Sequence, residues 1–223
     1  MLADTPHSTT ARANLSASAD MLFHGMWASI FYGSRKAGKS MVICSADRRE
    51  GASTIACGLA LAGSMPSGVS RVALLDFNLR NPAVHDLLGL REGPGVSEII
   101  LDKLAPEAAV QRVNSCLDVY TVGQAHGGLL TMLRGQSVSA FLNAIGQGYD
   151  HVLIDAAPAN QFPDAQILAS VVGSALLVVR SQQTPREAVA QARKRLESDG
   201  GRVVGCVLNL RTYPIPKFLY RRV

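Results

Sequence analysis

The stretch MVICSADRREGASTIA, from Met41 to Ala56, decides the predicted fold. Met41–Ser45 is a short apolar run typical of a buried strand, and a helical pattern extends from Ile55 to Met65. A loop between a strand and a helix suits a phosphate group, because the helix's first N–H groups and its dipole complete an anion site. We therefore predict a phosphate-binding loop made of Arg49, Glu50, Gly51, Ala52, Ser53 and Thr54.

The loop has the glycine and the hydroxyls that phosphate chemistry needs, but it lacks a lysine. Gly51 lets the backbone approach phosphate oxygens, and Ser53 or Thr54 can offer a hydroxyl to Mg²⁺. Position 52, where such loops carry the lysine, is Ala. Arg48 and Arg49 are nearby sources of positive charge, and a lysine from a neighbouring subunit is another.

A second stretch, GSRKAGKS from Gly33 to Ser40, matches the pattern G-x-x-x-x-G-K-[ST] without error but lies in the wrong place. It precedes a strand and follows a helix, whereas a working phosphate loop follows a strand and opens a helix. Lys39 cannot serve the later loop, because a strand of five or six residues separates them by about 17 to 20 Å. We predict that this match is inert.

Further short apolar runs follow the first strand. They are Val72–Asp76, Leu117–Val122, His151–Asp155, Ala175–Val179 and Val203–Asn209. Runs that are apolar on both faces suit a parallel sheet covered by helices on each side. Their alternation with helical stretches such as Pro185–Ser198 predicts an α/β fold, with a doubly wound, mostly parallel sheet of the P-loop nucleoside triphosphatase type.

The length of 223 residues suits one large domain, which we place at residues 21–211. Residues 1–20 are polar and lack periodicity, so we predict a flexible arm there, followed by a helix at Met21–Tyr32. Short helical pieces broken by Gly and Pro predict a peripheral insertion between Asn81 and Asn114. Residues 212–223 form a basic tail.

Composition narrows the cellular setting. The net charge is +5, with 22 Lys and Arg against 17 Asp and Glu, and a basic tail can contact anionic lipid, nucleic acid or an acidic protein face. The four cysteines lack metal-site spacing, so we expect reduced core residues. No stretch reaches the roughly 18 apolar residues that span a bilayer, and the first twenty are unlike a signal peptide, which predicts a cytoplasmic location.

Two acids stand at the ends of predicted strands, where open α/β sheets bind their ligands. Asp155 is the candidate Mg²⁺ acid, and Asp76 is the second. If the protein is catalytic, these two acids are the candidate catalytic residues. Ser53, Asp76 and Asp155 are thus the predicted Mg²⁺ ligands, whereas His85 and His151 lack a partner pattern and are expected to be structural.

Five landmarks in order resemble one protein family. The loop matches S-x-P-G-E-G-K-S-T at Glu50, Gly51, Ser53 and Thr54, and LDFNLRNP from Leu75 to Pro82 resembles D-x-D-L-R-x-P with Asn78 at the second acid. The segments GVSEIIL from Gly95, HVLIDAAP from His151 and GCVLN from Gly205 resemble the remaining three. The chain is similar to bacterial tyrosine kinases of the capsule and exopolysaccharide systems, relatives of the MinD and ParA ATPases.

That resemblance implies ATP or ADP with Mg²⁺ as cofactor, adenine contact by Asn209, and phosphorylation of the tail at Tyr213 or Tyr220. It implies a membrane-bound polysaccharide copolymerase or chain-length regulator as partner, self-association as a further option, and no nucleic acid. Ala52 and Asn78 remove a phosphate-binding cation and a candidate base. We therefore expect a regulatory or scaffolding pseudokinase. The alternatives are an active autokinase with a non-standard loop and a ParA- or MinD-like positioning ATPase.

Overall fold

The computed structural model describes residues 17–33, 37–65, 70–124, 132 and 137–212. The helices in this part of the chain are α1 Ala17–Phe31, α2 Ala52–Gly63, α3 Val84–Leu88, α4 Val96–Leu101, α5 Pro106–Ala109, α6 Ser137–Gln147, α7 Asp164–Val172 and α8 Arg186–Glu197. The strands are β1 Ser40–Ser45, β2 Val72–Asp76, β3 Gln111–Asn114, β4 Leu117–Tyr120, β5 His151–Asp155, β6 Ala175–Arg180 and β7 Val203–Asn209.

These strands form one seven-stranded sheet in the order β3-β4-β2-β5-β1-β6-β7. All neighbouring pairs are parallel except β3 and β4, which are antiparallel. The predicted doubly wound α/β fold is therefore confirmed. Because the carboxyl ends of parallel strands meet at one edge of a sheet, the residues that follow β1, β2 and β5 lie close together.

Side chains of β1 alternate between two cores, one on each face of the sheet. Met41 and Ile43 pack with α1 and α2, whereas Val42 and Cys44 pack with the helices of the other face. All four are fully buried. Burial on both faces explains why the strand sequence is continuously apolar rather than alternating.

The structure differs from the sequence predictions at several boundaries. Helix α1 begins at Ala17, four residues before the predicted start at Met21. Residues 111–114, placed in a peripheral insertion, instead form the edge strand β3. The prediction of four core cysteines is wrong for Cys206, which is exposed on β7, whereas Cys44 and Cys57 are buried and free.

Candidate nucleotide site

The loop between β1 and α2 is shaped by two residues in the left-handed backbone region. Arg49 has φ 61°, and Gly51, the N-cap of α2, has φ 86°. The Asn209 Nδ2 group donates a 2.8 Å hydrogen bond to the Glu50 carbonyl. A Cβ added at Gly51 would collide with that same Nδ2, so alanine there would displace the Asn209 side chain, in addition to the strain of the positive φ. Asn209 therefore contacts the loop backbone.

The Glu50 side chain is directed into the protein. It is 3% exposed, and its Oε2 accepts a 2.9 Å hydrogen bond from the Asp47 N–H. Its Oε1 accepts a hydrogen bond from the Thr184 hydroxyl, which lies after β6. The carboxylate thus fixes the loop from inside the protein.

Helix α2 has Gly51 as its N-cap, so no cap side chain accepts a hydrogen bond from the first N–H groups of the helix. The first four N–H groups of a helix lack partners within it, and together with the helix dipole they attract anions. Ala52, Ser53 and Thr54 form this first turn. The last three residues of the predicted loop thus form the start of α2, which begins at Ala52 rather than at the predicted Ile55, and their N–H groups face outward along the helix axis where an anion can bind.

Asp155 and Asp76 are paired in register at the carboxyl ends of β5 and β2. The Ser53 hydroxyl donates a 2.6 Å hydrogen bond to Asp155 Oδ2, while Oδ1 is buried and accepts none within the described part of the chain. Burial, and then the nearby Asp76 charge, raise the pKa of Asp155. The orphaned oxygen lies beside a hydroxyl that is itself a Mg²⁺ ligand type.

Asp76 organises the turn after β2. Its Oδ1 accepts a 2.9 Å hydrogen bond from the Asn78 N–H, and its Oδ2 accepts a 3.3 Å bond from the Val84 N–H. Desolvation by burial raises the pKa of Asp76 to about 6, against the lowering effect of these amides. The Asn78 side chain in turn accepts a 3.3 Å bond from the Asn81 N–H. This amide therefore holds the turn where the family pattern has a second acid.

These elements surround a cavity of about 510 Å³. It is lined by residues of three regions: Ser45, Arg48, Arg49, Glu50, Gly51, Ala52, Ser53 and Thr54; Asn78, Arg80, Asn81, Ala83, Asp86 and Leu87; and Ala156, Pro158 and Phe162. All six residues of the predicted phosphate loop are among them. Asp76 and Asp155 are fully buried and do not line the cavity, but Asp155 accepts a hydrogen bond from Ser53, which does.

Other predicted residues lie elsewhere. Lys39 precedes β1, where its carbonyl accepts a bond from the Val152 N–H, while the loop follows the other end of that strand. Tyr213 and Tyr220 lie outside the described residues. The sequence did not single out Phe162 or Asp164, which contact Arg80; they follow β5 on a stretch without a motif.

The oxygen atoms that the protein offers at this site fit Mg²⁺ only if phosphate oxygens complete the coordination. Among the described residues, no group of three or more His, Cys, Asp or Glu could hold a metal ion. Mg²⁺ commonly uses one or two protein oxygens together with substrate phosphates and water. Ser53 and the orphaned Asp155 oxygen match that demand.

The sheet, the loop before α2 and the acids at the ends of β2 and β5 define a P-loop nucleoside triphosphatase fold. Solved structures agree. The kinase domain of Escherichia coli tyrosine kinase ETK aligns with a TM-score of 0.80 at 23% identity, covering 90% of this chain and 80% of that one. The chimeric protein CapA2B2 gives 0.79 at 24%, covering 89% and 92%. A plasmid partition protein from Borrelia burgdorferi gives 0.61 at 15%, covering 82% and 84%.

Sequence relatives identify the family. The tyrosine-protein kinase YwqD of Bacillus subtilis is 33% identical over 172 residues, 77% of this chain and 72% of that protein. The putative tyrosine-protein kinase CapB of Staphylococcus aureus is 27% identical over 173 residues, 77% and 75%. This chain belongs to the family of bacterial tyrosine-protein kinases, which confirms the resemblance found in its motifs. No protein-family model matches it.

None of the helices described is both long and apolar enough to cross a membrane.

Proposed function

We propose that this chain binds ATP or ADP with Mg²⁺ in the cavity before α2, and acts as a regulatory or scaffolding pseudokinase of exopolysaccharide biosynthesis and export. One observation carries the proposal. Ala52 and Asn78 line the same cavity, so both departures from the family pattern fall at one candidate site.

Both departures weaken phosphoryl transfer more than binding. In such transfer the protein mainly positions phosphates and stabilises the charge that develops on them, so loss of the loop lysine removes an electrostatic contribution. The Asn78 amide cannot accept the proton of a tyrosine hydroxyl, and its oxygen already accepts the Asn81 N–H. Asp76 is buried, with a backbone partner for each oxygen.

The features that hold a nucleotide are retained. The N–H groups at the start of α2 and the glycine at its cap supply backbone contacts to phosphate. Ser53 and Asp155 would hold Mg²⁺, which neutralises phosphate charge when bound. Asn209, beside the loop, is the proposed adenine contact.

We further propose a cytoplasmic location at the inner face of the membrane, through a membrane-bound polysaccharide copolymerase or chain-length regulator. Relatives named as putative tyrosine-protein kinases include AmsA of Erwinia amylovora and a protein of the cps region of Klebsiella pneumoniae. This chain matches only 19% of the length of each.

A positioning ATPase has weaker support. Solved structures of a plasmid partition protein and of a ParA family ATPase each align with a TM-score of 0.61, against 0.80 for the ETK kinase domain. The segment Leu75 to Pro82, which includes Arg80, also resembles the motif of the capsule and exopolysaccharide tyrosine kinases.

Titration of the purified protein with ATP, with and without Mg²⁺, tests the proposed site. We expect saturable binding that weakens when Mg²⁺ is removed and is lost in Asp155→Ala. Lys39→Ala is the control in the misplaced motif. Its ATP affinity should stay within about threefold of wild type, because Lys39 and the loop lie at opposite ends of β1. For comparison, a loss of about 1.4 kcal/mol of binding free energy would be tenfold. Absence of binding in the wild-type protein, or its collapse in Lys39→Ala, would overturn the assignment.

A further inference from the structure

One wall of the cavity carries two arginines on a single aromatic ring. The Arg80 Cζ atom lies 4.6 Å from the centre of the Phe162 ring, and the Arg48 Cζ atom lies 5.8 Å from it. Both distances fall within the about 6 Å range of cation–π attraction. Both guanidinium groups therefore lie against one aromatic ring beside the cavity, and attraction to the ring offsets part of the repulsion between them.

Arg80 is held from a second side by a buried acid. Its Nε atom lies 3.5 Å from Asp164 Oδ2, and Asp164 is fully buried at the start of α7. Neither oxygen of Asp164 has a hydrogen-bond partner in the described part of the chain. The Arg80 side chain is 41% exposed and lines the cavity. Because its Nε edge faces Asp164, the two terminal nitrogens are the donors left for a ligand.

The loop lacks a cation at position 52, where the family has one. Ala52, in the first turn of α2, presents a methyl group to the cavity that Arg48 and Arg80 also line. A guanidinium matches phosphate with two parallel donors and stays charged at every pH relevant to the cell. A polyphosphate in this cavity would meet arginines instead of the lysine.

We propose that Arg80, assisted by Arg48, takes the place of the absent loop lysine and binds the terminal phosphates of the nucleotide. The proposal rests on nucleotide binding at this site, as proposed above. Phe162 and Asp164 act as positioning residues for the guanidinium. The ligand class is accordingly a nucleoside di- or triphosphate, with the monophosphate bound much more weakly.

The first test compares ATP, ADP and AMP affinities by titration calorimetry for the wild-type protein, Arg80→Gln and Arg48→Gln. Loss of a charge-assisted hydrogen bond predicts ATP and ADP binding about tenfold to hundredfold weaker in Arg80→Gln, and a smaller loss in Arg48→Gln. AMP affinity should barely change. Arg193→Gln removes an equal charge from an exposed i,i+4 pair on α8 and should leave all three affinities within about twofold.

The second test asks whether Arg80 and a lysine introduced at position 52 bind the same phosphate group. Ala52→Lys should restore ATP affinity in the Arg80→Gln background by a larger factor than it adds to wild type. Two positions that serve one phosphate group are coupled, and coupled positions give non-additive changes in a double-mutant cycle. Strictly additive effects would contradict the proposal.

Removal of Arg80 leaves Asp164 buried without its partner, so folding must be controlled. The pair Arg80→Gln with Asp164→Asn removes both charges, and thermal melts should show that this variant is folded. Its ATP affinity should still fall about tenfold or more. If wild type binds ATP and this variant binds it equally well, only the arginine proposal fails. If wild type binds no nucleotide, the proposed function fails as well.

Discussion

At the scale of single residues, two separate features of position 51 favour glycine. Its backbone has φ 86°, and its α-carbon faces the Asn209 amide at a distance that leaves no space for a methyl group. Gly51→Ala should therefore lower the free energy of unfolding by more than the about 1 kcal/mol of a strained backbone alone, and should weaken nucleotide binding.

Gly89→Ala is the control that separates the effect of backbone strain from the effect of the steric clash with Asn209. Gly89 has φ 63°, yet within the described residues no atom beyond its chain neighbours lies within 4 Å of a Cβ added there. Urea melts of both variants should show the larger loss at Gly51, and only Gly51→Ala should alter ATP affinity. Equal losses at the two positions would show that the contact with Asn209 has no energetic weight.

The buried acids predict an unusual pH dependence. Asp76 has an ordinary pKa of 3.8 and a folded-state pKa of about 6, so the folded protein binds more protons than the unfolded chain between these values. Stability then rises as the pH falls through this window. One pKa unit corresponds to about 1.4 kcal/mol, so acidification from about pH 7 to about pH 5 should contribute about 1 kcal/mol through Asp76.

Chemical unfolding of the Mg²⁺-free protein across this range checks the sign. Asp76→Asn has no such proton to bind, so its stability should gain less on acidification than that of wild type. A parallel response of the two proteins would exclude Asp76 as the source.

The contiguous part of the site could be predicted from sequence, but its distant contacts could not. Six loop residues lie on one strand-loop-helix stretch, whose order alone indicates phosphate binding. Phe162 and Asp164 are about 80 positions from Arg80, and no local pattern links them. The inward direction of Glu50 depends on Thr184, a partner 134 residues away.

At the scale of elements, apolar composition decides which strands the sequence reveals, and even the partly buried edge strand β7 was recognised from its apolar run. The central strands are apolar on both faces, so their runs were recognised to within a residue or two. Strand β3, with sequence QRVN, lies at the sheet edge and is only partly buried, so it lacks an apolar signature. Its pairing with β4 is set by a tight turn at Ser115 and Cys116, which composition alone did not indicate.

Helix α1 is held against the sheet by aromatic packing. Trp27 is 6% exposed, and its ring occupies the space where a Cβ on Gly63 would lie. It also contacts the rings of Phe31 and His151, at centroid distances of 4.3 and 5.0 Å. Trp27→Ala should therefore lower the free energy of unfolding by about 3 to 5 kcal/mol.

Tyr32 supplies the matched control at the end of the same helix. It is 68% exposed, and Tyr32→Ala should change stability by no more than about 0.5 kcal/mol. Urea unfolding followed by circular dichroism measures both variants. A loss below about 1 kcal/mol in Trp27→Ala would mean that α1 is not part of the cooperative fold.

At the scale of the whole molecule, tyrosine autophosphorylation should be far slower than in relatives with an intact loop. Ala52→Lys should tighten ATP binding while transfer stays slow, because Asn78 still offers no base. Ala52→Lys with Asn78→Asp should transfer faster than either single variant. Release of labelled phosphate and anti-phosphotyrosine blotting measure this. Strong labelling of Tyr213 or Tyr220 in the unmodified protein, abolished by Asp155→Ala, would refute the pseudokinase proposal.

The internal bonds of Glu50 and the Asn209 contact have a consequence for the speed of ligand capture. They join the loop to β7 and to the segment that follows β6 before any ligand arrives, so the conformational entropy of ordering the loop is lost during folding. Association should then proceed in one phase whose rate constant rises linearly with nucleotide concentration. Glu50→Gln keeps the size of the side chain but weakens its hydrogen bonds to Asp47 and Thr184. Binding to this variant should show a slow phase whose rate does not depend on nucleotide concentration, because the loop must first adopt its binding conformation.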